Sequence, residues 1–235
     1  MNDVETKVVY VFPRGRRHIW VADGLRRDIM LGDIEPGATL VELEVAARFQ
    51  CSQSTAREAL MLLQEEGLVQ RSGHRGTRIS AWTQDEALEM LRLRRDMECH
   101  AAQRLFTKPA RRTSDLVPAL RAHLASMEAA AAADDEYALA QVDREFHLRL
   151  FSEAKLPSVE PMLLRCLIHN HRYKMLNSRD RHDLHHAAQR HIVIIEAVER
   201  RDTAGLVAVL EHHISTIFEE GPSLLESNEA TAVAP

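Results

Sequence analysis

The sequence predicts a mainly α chain in two parts: an N-terminal winged helix-turn-helix and a C-terminal all-α antiparallel helical bundle. Three observations carry this expectation. Ala, Leu, Arg and Glu dominate, while only 9 Gly and 8 Pro interrupt 235 residues. Between Leu43 and Gly76, two short helical patterns flank a polar turn and run into two short β-type segments. Beyond Thr83 the apolar residues recur with helical spacing, punctuated by caps and prolines.

Taken in order, residues 1–17 read as an arm, with a possible short strand at Val8–Phe12 and a basic turn, Pro13-Arg14-Gly15-Arg16-Arg17. From His18 to Leu31 the spacing of Ile19, Ala22, Leu25 and Ile29 predicts a helix stopped by Gly32. Asp33 to Gly37 is a turn. Val45, Ala46 and Phe49 give the next helix its apolar face; Ala56, Ala59, Leu60 and Leu63 give the following one its own, with Gly67 as the stop. Leu68–Arg71 and Thr77–Ser80 read as two strands joined by Ser72-Gly73-His74-Arg75-Gly76. This makes residues 18–80 a domain. Thr83-Gln84-Asp85-Glu86 has the form of a capping box and opens a helix running to about Phe106. Further helices are expected from about Leu116 to Ala133, Asp135 to Ala154, Val159 to Leu176, Arg181 to Arg200, and from the cap Asp202 to about Glu219. Residues 83–220 thus form a helical domain, and 221–235 a disordered tail.

The helix-turn-helix suits DNA. Ser52, Gln53, Ser54, Thr55 and Arg57 fall on the first turns of the second helix, where free backbone N–H groups meet phosphate and Gln, Ser and Arg reach base edges in the major groove. His74, Arg75 and Gly76 on the wing tip face phosphate or the minor groove. A small helical domain whose polar turn merely faces water is the plainer alternative; the single register of helix, turn, helix and basic wing argues against it. The net charge of −5 does not exclude nucleic acid. Up to Trp82 there are 11 Lys/Arg and 11 Asp/Glu, so the first third is neutral and the later residues carry the excess. A neutral reading head implies few phosphate contacts and a shallow salt dependence. No run is long enough to cross a bilayer, the N-terminus lacks a signal-peptide pattern, and Cys51, Cys99 and Cys166 suit free thiols. These features predict a cytoplasmic protein without membrane contact.

The second domain carries a possible metal set. Asp143 and His147 lie four apart, on the helix face that also carries Leu139, Phe146 and Leu150. His191 lies beside Ile194 and Val198 on an apolar face, and His213 in the row Leu206, Leu210, Ile217. Asp202 stands eleven residues after His191 and eleven before His213, so an antiparallel helix pair hinged there brings the two imidazoles level. One carboxylate and three imidazoles suit a divalent transition metal, zinc first, with nickel or manganese compatible. The alternative is that each is a satisfied core residue. His182-Asp183-Leu184-His185-His186 reads as a solvated helix start, and the charges around Arg92, Arg94, Arg95, Asp96 and Glu98 read mostly as solvated ion pairs.

These residues resemble a known family. Gly32…Pro36-Gly37, Ala56-Arg57-Glu58-Ala59-Leu60, Glu66-Gly67-Leu68-Val69 and Arg75-Gly76 are similar, in order and spacing, to the DNA-binding domain of GntR-type bacterial regulators. Leu43 and Gln53 stand where that family often has arginines that meet DNA. Leu93-Arg94…Glu98, Asp143-x-x-Phe146-His147 and His191-x-x-Ile194…Asp202…His213-Ile214 resemble the FCD ligand-binding domain of the FadR branch; Leu156 stands where an Asn is usual. The resemblance implies that Asp143, His147, His191 and His213 bind a divalent metal, and that Arg94 helps to hold a small carboxylate effector. It also implies a homodimer on a near-palindromic double-stranded DNA operator, usually a repressor released by its ligand. Two alternatives stand beside it: a regulator whose effector is the ion itself, and a metal-dependent enzyme. Glu145 follows Asp143 by two and points away from the set, so no general base accompanies the metal.

Overall fold

The computed structural model describes residues 16–71, 76–106, 115–177 and 183–217. The chain divides after Ser80 into two compact units, the end of the first helix (Met30–Asp33) grouping with the second.

In the first unit, α1 (Arg17–Leu31) precedes a three-stranded antiparallel sheet and two further helices: β1 (Thr39–Leu40), α2 (Glu42–Arg48), α3 (Gln53–Glu65), β2 (Val69–Arg71) and β3 (Thr77–Ile79). The sheet order is β1-β3-β2, with Thr39 opposite Arg78 and Val69 opposite Ile79. The sequence pattern does not announce β1: two residues are too few to show alternation. Arg17, read as part of the arm, begins α1, and its guanidinium donates to the Gln50 carbonyl. Val21, Leu25 and Ile29 of α1, Val45 and Ala46 of α2, and Ala56, Ala59, Leu60 and Leu63 of α3 are buried. Gly24 permits close packing, since a Cβ there would lie 2.7 Å from the Phe49 ring. The same ring stands edge-on to Trp20 at 5.3 Å between centroids. Arg26 forks onto Glu66 at 2.6 and 2.8 Å and ties α1 to the end of α3. Gly67 takes φ 77°, the left-handed conformation that ends a helix without a Cβ penalty.

The second unit contains α4 (Gln84–Leu105), α5 (Leu116–Ala132), α6 (Glu136–Ser152), α7 (Glu160–Asn177), α8 (Leu184–Gln189), α9 (Ile192–Glu199) and α10 (Thr203–Ser215). Both hydrogen bonds of the Thr83–Glu86 capping box form, and Asp135, Asp183 and Asp202 each cap the helix that follows. The core runs through Leu91, Leu120, Met127, Phe146, Ile194, Leu206 and Leu210.

Two expected helices differ. The segment read as one helix from Arg181 to Arg200 is two, α8 and α9, broken at Arg190–His191. No proline or glycine marks the break. The His191 ring supplies it: Nδ1 turns back to the Ala188 and Ala187 carbonyls at 3.1 and 3.2 Å, and the His191 N–H donates to Ala188 rather than to Ala187. A side chain competing for the backbone's own acceptors interrupts a helix in this way. The last helix, expected to reach Glu219, ends at Ser215, where the Thr216 hydroxyl donates to the His212 carbonyl at 2.7 Å. The expected tail, 221–235, and all of the arm except Arg16 and Arg17 lie outside the described residues.

Candidate functional site

In the helix-turn-helix, Ser52 caps α3, accepting from the Thr55 N–H at 3.1 Å. Its hydroxyl also lies 2.8 Å from those of Ser54 and Thr55. Ser52, Gln53, Ser54 and Arg57 are exposed and Thr55 is half-buried, so one solvent-facing end of α3 carries them all. Sequence reasoning missed their organiser, Glu42. Arg57 donates two bonds to its carboxylate, at 2.9 and 2.8 Å, Gln53 Nε2 a third at 3.0 Å, and Arg71 stands 3.8 Å away. The bonds from Arg57 and Gln53 hold the Glu42 carboxyl at about 2. His74 and Arg75 lie outside the described residues; Gly76 enters β3 with φ 87°.

In the helical unit, α6 presents Asp143 and His147 one turn apart, the α8–α9 break presents His191, and α10 presents His213. Asp143, His147, His191 and His213 each offer a ligand atom, and these atoms lie within 4.8 Å of one another. All four residues are buried. The His191 and His213 ring centroids are 4.7 Å apart, and those of His147 and His213 5.1 Å. Phe146 packs edge-on against His191 at 4.8 Å and closes one side.

Protonation and orientation suit ligation. His147 Nδ1 sits 2.6 Å from Glu98, and His191 Nδ1 faces two carbonyls, so each ring donates through Nδ1 and keeps its Nε2 lone pair for the cluster. Burial lowers the pKa of His147 and, with the neighbouring imidazoles, takes that of His213 well below the ordinary value, so both rings stay neutral. Burial works to raise the Asp143 carboxyl, but His171 and His191 against it hold it well below the carboxylate range. Asp143 Oδ2, His147 Nε2, His191 Nε2 and His213 Nδ1 are buried, and the described residues supply none of them with an aligned hydrogen bond. Several orphaned polar atoms converging on one point are costly unless a cation holds them. This donor set fits a divalent transition metal.

The wider surroundings were only partly legible in the sequence. Glu98 and Arg94, read among solvated charges, are 2 % and 0 % exposed. Arg94 Nε donates to Glu98 Oε1 at 2.7 Å, and Glu98 Oε2 takes the His147 N–H. Burial works to raise the Glu98 carboxyl, and its contacts with His147 and the Arg94 guanidinium outweigh it and hold it at about 2. Both Arg94 Nη atoms are buried without a partner among the described residues. The signal was present: Arg94 and Glu98 share the helical stripe of Leu91, Ala101, Ala102 and Leu105. His171, 3.0 Å from Asp143, gave none. Glu145 is exposed and His212 faces solvent, off the cluster.

A model of the bacterial regulatory proteins of the gntR family matches residues 20–79, and a model of the FCD domain matches residues 89–216, more than half of the chain. The chain belongs to the GntR family and carries an FCD domain. It is a DNA-binding transcriptional regulator, not an enzyme. The HTH-type transcriptional repressor RspR of Escherichia coli is 25 % identical over 206 residues, spanning 87 % of this chain and 88 % of that one. A probable D-xylose utilization operon transcriptional repressor of Paenarthrobacter nicotinovorans is 26 % identical over 208 residues, 88 % of each chain. Among solved structures, E. coli McbR/YncC shares the fold with a TM-score of 0.68 at 17 % identity, over 92 % of this chain and 96 % of that one. A putative GntR regulator from Rhodococcus sp. RHA1 does so with a TM-score of 0.64 at 24 % identity, over 93 % and 99 %. No described helix of this GntR-family chain is long and apolar enough to cross a membrane.

Proposed function

We propose that this regulator is a homodimeric repressor of a near-palindromic operator, released when a small carboxylate binds at a divalent metal in the FCD domain. The observation that carries the reading is the buried convergence of Asp143, His147, His191 and His213, with Arg94 close by. In this reading those four hold the ion, zinc first, and the ion supplies a Lewis-acidic position for a carboxylate oxygen. Arg94 supplies the two orphaned Nη donors, a fork that matches a carboxylate. Glu98 orients both Arg94 and His147, so effector and metal sites share one support. On the DNA side, the end of α3 carries Ser52, Gln53, Ser54, Thr55 and Arg57 into the major groove, and His74, Arg75 and Gly76 also contact DNA. Two copies place two such helices on successive half-sites. Release follows if the carboxylate binds one disposition of the DNA-binding heads better than another. Two relatives named as repressors support the direction.

The test is selection of the purified, zinc-loaded protein against a random DNA duplex library, then mobility shifts with the selected site. Enrichment of a near-palindrome, with affinity lowered by a small organic acid, is the expected result. No enrichment with or without metal overturns the reading. Binding that reverses on chelation alone, with no acid needed, assigns the ion as effector.

A further inference from the structure

Beside the metal set lies a chamber of about 40 Å³, and its walls are not uniform. Asp143, His191 and His213 line it. Lys174 of α7 and Arg190, at the α8–α9 break, line it too, with Glu136 and His171 as the other titratable groups. Arg94 is not part of this lining. Arg190 is held firmly: its Nη2 donates to the His213 carbonyl at 2.7 Å and to the Thr216 hydroxyl. A guanidinium anchored through one corner keeps its remaining donors in a fixed plane, which reduces the entropy lost on binding a second acceptor.

From this we infer that the effector carries two anionic groups, one at the metal and the other received by Lys174 and Arg190: a small dicarboxylate rather than a monocarboxylate. The inference rests on the carboxylate reading above. Charge supports it. A divalent ion, the Asp143 carboxylate and Arg190 leave a formal excess of about two positive charges, with Lys174 set against Glu136. A monoanion neutralises half of that excess beside the buried metal set; a dianion neutralises it fully, and uncompensated charge against buried groups is costly. Leu139, Ala140 and Met175 supply apolar lining for the short carbon chain between the two groups.

The test uses full-length zinc-loaded protein and two series matched in chain length: propionate, butyrate and valerate against malonate, succinate and glutarate, titrated calorimetrically. At least one dicarboxylate is expected to bind 10-fold or more tighter than its monocarboxylate counterpart. K174Q removes a charge-assisted hydrogen bond and should cut that preference by about 10-fold or more. Zinc affinity in K174Q should match the unaltered protein, which separates loss of a recognition group from damage to the site. R190Q is the second variant and should act in the same direction. Monocarboxylate binding with no dicarboxylate preference overturns this inference and leaves the carboxylate reading standing. A preference that survives in both variants overturns the assignment to these residues. Binding of neither series overturns the carboxylate reading and this inference with it.

Discussion

Glu98 joins two parts of the buried centre, and E98Q tests that junction. In the folded chain its two oxygens serve two donors, Arg94 Nε at 2.7 Å and His147 Nδ1 at 2.6 Å. Gln preserves the shape but offers one acceptor oxygen, and its NH₂ faces a donor. It also leaves the Arg94 guanidinium, 0 % exposed, without its counter-charge. Breaking a buried pair from one side costs about 3–5 kcal/mol. For a chain of this size each kcal/mol moves Tm by about 2–4 °C, so the metal-free protein should melt about 6–20 °C lower. Loss of the His147 support should also weaken zinc by about 10–100-fold. The assays are thermal unfolding of the chelator-treated protein and a zinc titration against a chromophoric chelator. The double variant R94M/E98L, which replaces the pair by apolar groups, should recover most of the lost stability while still binding zinc weakly, because packing is restored and His147 orientation is not. A fall of less than about 2 °C in E98Q, with unchanged zinc affinity, would refute the account of Glu98 as shared support.

The remaining expectations concern the metal set and the DNA-reading surface. Zinc returned to chelated protein at about 100 times its Kd should stabilise by about 2.7 kcal/mol, raising Tm by about 5–11 °C. H213A should lose most of that rise while melting near the unaltered protein when metal-free; an undiminished rise would remove His213 from the set. Glu42 should titrate near 2 by NMR, because Arg57 and Gln53 hold its ionised form. The sign follows: a depressed carboxyl pKa stabilises the fold at pH above its ordinary value near 4.5, and that contribution is lost as the pH falls toward 2. A midpoint near 4.5 would show that the fork from Arg57 does not persist in solution.

Much of this organisation is written in local pattern. The order of helices, the caps at Ser52, Thr83 and Asp202, and the stop at Gly67 depend on residues within a few positions of each other, so the sequence displays them directly. Helical period likewise assigns Asp143 and His147 to one inward face, and the equal spacing about Asp202 points His191 and His213 toward the same level. The family resemblance agreed with these local signals.

Tertiary structure decided the partnerships. A face states that a side chain is buried, not what it meets. Glu98 meets His147 across 49 residues, and His171 meets Asp143 from another helix, pairings that no periodicity within one element can encode. The charged run around Arg94 looked solvated because burial of an ion pair depends on which helices enclose it. The break between α8 and α9 comes from one ring competing for backbone acceptors, and β1 is only two residues long; neither leaves a compositional mark. The sequence by itself determined the order of the elements and which apolar faces turn inward. Only the packing of the helices decided which of them meet, because a local period fixes direction while contact depends on distance through space.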